Sequence, residues 1–206
     1  MNVGATRCRR STSKGIMSPQ FCRRALLVVA PLVLAAGVLA QPAGAATAPA
    51  SETITGGALA FINSSPSAVA FPSVALNGTD QVSSQTQLLD ISDARGTGAG
   101  WNVTATSTAF NNGSVSLSNS STTITTAPSV ACDAGVSCVT PTNSITVPYT
   151  LPAAATAPTA TKMSNAATST GTGAMTVTPT WRLAIPATAA VGTYNSTWTM
   201  SLVSGP

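Results

Sequence analysis

The tightest constraint on this chain is a short run in which apolar and polar residues strictly alternate. Trp101, Val103 and Ala105 fall on one side of an extended chain, and Asn102, Thr104 and Thr106 on the other. A repeat of two belongs to a half-buried strand, whereas a helix needs apolar spacings of three and four. Ahead of the run stand a charged turn, Asp93 and Arg95, and three glycines at alternate positions, Gly96, Gly98 and Gly100. A second run lies between Thr193 and Pro206, where Tyr194, Trp198, Met200 and Leu202 share a face. The two runs read as one pair of strands.

Shorter segments repeat the pattern. Leu59 and Phe61 alternate within Thr53 to Ile62, and Val74 and Leu76 alternate up to a tight turn at Asn77-Gly78. Gln81 to Ser92 reads as one strand with Leu89 and Ile91 inward. Val115 and Leu117 follow the Asn111-Asn112-Gly113 turn and read as a hairpin partner of the Trp101 strand. Further alternation occurs at Ile145, Val147 and Tyr149, at Met175 and Val177, and at Trp181, Leu183 and Ile185 beyond Pro179. Ser118 to Pro141 is weakly patterned. Ala153 to Thr170 reads as loop, because Pro158 and many threonines interrupt its alanines. Eight or nine short strands and no helix predict an all-β chain, a single antiparallel β-sandwich of Greek-key or Ig-like type. Fifty-two serines and threonines make up about a third of residues 46–206. Such a composition also suits a disordered stalk, but the regular apolar alternation argues for a packed core.

The first 45 residues read differently. Six of the nine basic residues lie within the first 24, an uncharged apolar run follows from Ala25 to Ala40, and Ala43-Gly44-Ala45 offers a small-x-small cleavage site. Together these predict a cleaved secretory signal peptide over 1–45 and one domain over 46–206. The apolar run is shorter than the about 20 residues of a membrane span, so no membrane partner is expected after cleavage. Both Met1 and Met17 could start the chain, and Arg23-Arg24 leaves ordinary and twin-arginine export open. Residues 46–206 carry three basic side chains (Arg95, Lys162, Arg182) against five acidic ones (Glu52, Asp80, Asp90, Asp93, Asp133). No basic patch is available for nucleic acid.

Chemistry finds little foothold. The sequence has no histidine, and Lys162 is the one lysine after residue 45, so the usual general bases and nucleophile activators are missing. The G-x-G-x-G run is followed by a strand rather than a helix, which excludes a phosphate loop. Asp93 and Arg95 read best as turn residues and an ion pair. Cys132 and Cys138 suit one disulfide pinning a surface loop of an exported protein; they are too few for a metal site, and no cofactor is expected. The three tryptophans suit either a core or a flat surface platform, and their phase with small aliphatics favours the core. Six N-x-S/T triplets are no more than this composition brings by itself.

The two runs carry a resemblance. Asp90 to Thr104, D-I-S-D-A-R-G-T-G-A-G-W-N-V-T, resembles the first signature of the WxL-domain cell-surface proteins of Gram-positive bacteria. Gly192 to Pro206, G-T-Y-N-S-T-W-T-M-S-L-V-S-G-P, is similar to the second, and G-G-A-L-A-F near residue 57 fits the same family. The residue two after each tryptophan is Val103 or Met200 where the family carries leucine, and the literal Trp-x-Leu stands elsewhere, at Trp181-Arg182-Leu183. The resemblance implies a secreted, non-catalytic protein held non-covalently on the cell wall, with peptidoglycan as its partner. It implies that Trp101, Trp198, Tyr194, Asp93, Arg95 and Gly100 lie near the contact. Because such proteins act beside other surface proteins, it also admits an assembly subunit that reaches the wall only through partners. In that case the tryptophans are core, and an edge strand or a hydroxyl-rich face does the binding.

Overall fold

The computed structural model describes residue 44 and residues 46–206. The expected signal peptide therefore lies, Gly44 aside, outside the described residues. Ser51–Pro206 forms a compact unit of its own, built from twelve strands: β1 (Leu59–Phe61), β2 (Gln81–Thr86), β3 (Leu89–Asp93), β4 (Trp101–Thr108), β5 (Thr122–Ile124), β6 (Ser129–Cys132), β7 (Tyr149–Thr150), β8 (Ala153–Ala154), β9 (Thr161–Ala166), β10 (Gly173–Thr178), β11 (Thr180–Ile185) and β12 (Trp198–Ser204). No helix occurs among the described residues, and none is long and apolar enough to cross a membrane.

The strands form three hydrogen-bonded sheets, in the orders β1-β3-β10-β6, β2-β11-β5-β7 and β12-β4-β8, with β9 also pairing β4. All pairings are antiparallel except β4 with β8. One core serves all three. Leu89, Ile91, Met175 and Val177 enter it from the first sheet, Ile124 and Trp181 from the second, and Trp101, Val103 and Met163 from the third. The two runs singled out by their alternation are neighbours: β12 pairs β4 along its whole length, Trp198 opposite Ser107 and Ser204 opposite Trp101.

Several local expectations are corrected. Gln81 to Ser92 is two strands in different sheets, not one. Pro179 lacks the N–H that a continuous ladder needs, and it separates β10 from β11 just where Gln87 and Leu88 separate β2 from β3. Parity survives the break, so Ser83, Gln87, Leu89, Ile91 and Asp93 all face inward. Val74 and Leu76 lie in unpaired chain. Val115 and Leu117 make no hairpin with β4; the turn closes on itself through Leu117 N to Phe110 O (2.8 Å) and an Asn111–Ser116 bridge. The stretch read as loop from Ala153 contains β8 and β9, the weakly patterned stretch before it contains β5 and β6, and Ile145 and Val147 lie outside any strand. These short strands carry alanine, serine and threonine, whose alternation gives little contrast.

The Trp101 strand is not half-buried: its polar face is covered as well. Asn102 donates to Gly205 O (2.7 Å) and Thr106 to Pro158 O (2.7 Å), while on the tryptophan face Ser107 donates to Pro152 O (3.2 Å). Small polar groups can be buried when each finds such a carbonyl. At the end of β6 a Cys132–Cys138 disulfide closes a surface loop, as the spacing led us to expect.

Candidate functional site

The six residues singled out in the sequence fall into two places. The first is a corner where the turn after β3 meets the end of β12. Arg95 grips Asp93 with two parallel bonds, Nε to Oδ1 (2.9 Å) and Nη2 to Oδ2 (2.8 Å), and its remaining donors reach Gly100 O (2.7 Å) and Ser204 Oγ. The Asp93 side chain is 1% exposed and that of Arg95 is 16% exposed. The guanidinium hydrogen bonds hold the Asp93 carboxyl below the ordinary carboxylate value, against burial, and the same bonds raise the Arg95 pKa. Gly100 has φ +73°, and a Cβ there would collide with Ala166 O. Its carbonyl also accepts from Gly205 N (3.1 Å). Trp101 is fully buried, with Nε1 donating to Gly171 O (2.8 Å). Gly171 sits at φ +70°, and a side chain there would strike the indole. Asp93, Arg95, Gly100 and Trp101 thus tie the glycine turn to the last strand.

The second place lies at the other end of the β4–β12 pair. Trp198 is partly buried and meets three aromatic rings edge to face: Trp181 at 4.8 Å between centroids, Phe110 at 6.3 Å and Phe71 at 6.4 Å. Such edge-to-face packing fixes the indole in one orientation. Trp198 lines an open groove of about 550 Å³ together with Ser67, Val69, Phe110, Tyr194, Asn195, Thr199 and Met200. Tyr194 is held by its hydroxyl, which donates to Ala190 O (3.0 Å). Beyond Tyr194 lies a second groove of about 440 Å³, more apolar, lined by Val74, Leu76, Leu183, Ile185 and Val191. Tyr194 lines both grooves, so the two adjoin there.

The structure therefore brings Trp198 and Tyr194 together on the groove, and sets Asp93, Arg95, Gly100 and Trp101 apart from it. Local pattern gave no sign of Phe71, Phe110, Asn195 or Gln87. Phe71 and Phe110 stand outside strands, and Gln87 is a buried amide that accepts from Trp181 Nε1 (2.9 Å) and donates to Ser67 O (2.9 Å). An aromatic residue beside a turn signal was the available clue. Among the described residues no three metal-ligating side chains converge.

Residues 50–206 match the family described as WxL domain, surface cell wall-binding. The chain belongs to the WxL domain family. No curated protein and no solved structure matches it. For this WxL domain the family points to the cell surface and the cell wall, and the resemblance carried by the two tryptophan runs is thereby established. The family's two signatures meet physically in this chain. The first supplies Arg95 and Gly100, and the second supplies Ser204 and Gly205, which bond to them.

Proposed function

We propose that residues 46–206 are a non-catalytic module that, after export directed by residues 1–45, attaches non-covalently to the peptidoglycan of the cell wall. We read the three sheets around one core as a single sandwich-type domain. The contact is assigned to the groove at Trp198 and Tyr194, while Asp93, Arg95, Gly100 and Trp101 hold β12 in place behind it. One observation carries this reading: Trp198 is partly exposed and fixed by three aromatic neighbours at a groove wall. A pre-oriented aromatic face loses little entropy when a ligand stacks on it. The test is co-sedimentation with purified peptidoglycan. The wild-type chain should pellet with it, and a folded Trp198→Ala chain should stay in solution.

A second reading has its own support. β12 ends its sheet's strand order, and its Thr199, Ser201 and Val203 are exposed. An edge strand of this kind can be extended by a strand from a partner surface protein. On that reading the chain sediments with whole cells but not with purified peptidoglycan.

A further inference from the structure

The groove makes a statement about which part of the wall polymer it takes. Peptidoglycan offers two chemistries. Its glycan strands are neutral along their length, because the lactyl carboxyls are tied up in amides, and every sugar carries an acetamido group. Its peptide stems carry free carboxylates and amines. Among the described residues, neither compartment of the groove is lined by a single charged side chain. A charged stem drawn into such a site would leave water without a partner, which is strongly unfavourable.

The linings match the glycan instead. The Trp198 compartment combines aromatic faces with hydrogen-bonding groups, and among the described residues the Asn195 amide and the Thr199 hydroxyl make no side-chain hydrogen bond. The slightly positive C–H face of a pyranose suits the negative face of an indole. Beyond Tyr194 the lining turns aliphatic, with Val74, Leu76, Leu183, Ile185 and Val191. An acetamido methyl is the apolar group a sugar could place there. The compartments, about 550 and about 440 Å³, are each within the range of about 300–1,000 Å³ typical of ligand sites.

Resting on the assignment of the wall contact to this groove, we propose that the groove takes an uncharged N-acetylated glycan strand. A sugar ring lies on the Trp198 side, an acetamido methyl lies in the aliphatic compartment beyond Tyr194, and the charged peptide stem stays outside.

The experiment titrates the full chain with three probes: a chitin oligosaccharide, a cello-oligosaccharide of equal length that lacks acetamido groups, and a free stem peptide. Tryptophan fluorescence and calorimetry report binding. The chitin probe should bind about tenfold or more tighter than the cello probe, since a site shaped for a group rejects the analogue without it. Its affinity should change less than about twofold between about 50 and about 500 mM salt, because no charge pair is screened. Val191→Asp places a charge at the mouth of the aliphatic compartment on a residue 87% exposed, where folding is unaffected. It should weaken the chitin probe about tenfold. Equal binding of both sugars, binding of the stem peptide in place of the sugars, or an unaffected Val191→Asp would overturn the proposal. Sedimentation with purified peptidoglycan separates the two levels. A chain that pellets yet ignores the chitin probe refutes the glycan assignment and leaves wall attachment standing, whereas a chain that does neither refutes both.

Discussion

Trp101 and Trp198 occupy the opening positions of two strands that pair with each other, yet they do opposite things. Trp101 is sealed in the core with its indole N–H satisfied by a glycine carbonyl. Trp198 shares an aromatic cluster with Trp181, Phe71 and Phe110, and one side of it borders an open groove. What lies over each tryptophan decides the matter. Gly171 and the stretch around Ala166 close over Trp101, and among the described residues Trp198 is left facing the open groove. A signature tryptophan can therefore be kept for holding the fold at one end of a strand pair and for presenting a surface at the other.

The comparison breaks most visibly at the corner. Arg95→Ala leaves the Asp93 carboxylate buried without its partner and should cost about 3–5 kcal/mol in thermal or denaturant unfolding. Trp101→Ala empties a fully buried site and should cost about 3–5 kcal/mol, whereas Trp198→Ala, from a site already partly open, should cost clearly less. Equal losses for the two tryptophans would erase the distinction. A Cys132→Ser, Cys138→Ser double variant opens only a short loop and should cost about 2 kcal/mol, with sedimentation on peptidoglycan retained once the protein is folded.

The smallest expected effect is one of pH. Because the folded Asp93 pKa is depressed below 3.8, the ion pair's contribution is fully present above that value and is lost as the pH falls through the depressed folded value. Acid unfolding of the wild type should show this loss below about pH 4, and Asp93→Asn should remove that part of the profile.

Much of the fold was legible because alternation is loud where large apolar residues carry it. Trp101 with Val103, Met175 with Val177, and Trp181 with Leu183 all sit in strands and face the core. It failed where alanine, serine and threonine carry the strands, as in β5, β8 and β9, since their two faces differ little in hydrophobicity. It also misled at Val74 and at Val115, where apolar residues alternate outside any of the strands and Val115 bonds within its own turn, to Asn112. The groove was half legible. Trp198 and Tyr194 stood out by spacing, but their apposition to Phe71 and Phe110 is a tertiary fact that short-range periodicity does not encode. Asp93 and Arg95 could be read as an ion pair. Their reach across to Ser204 spans 109 residues and needed the fold.

The most direct test of the division between a folding corner and a binding groove is sedimentation of the wild-type, Trp198→Ala and Trp101→Phe chains with purified peptidoglycan, each first shown to be folded by circular dichroism. This account expects the wild type and Trp101→Phe to pellet and Trp198→Ala to remain in the supernatant. Folded Trp198→Ala that pellets like the wild type, or folded Trp101→Phe that fails to pellet, would contradict it.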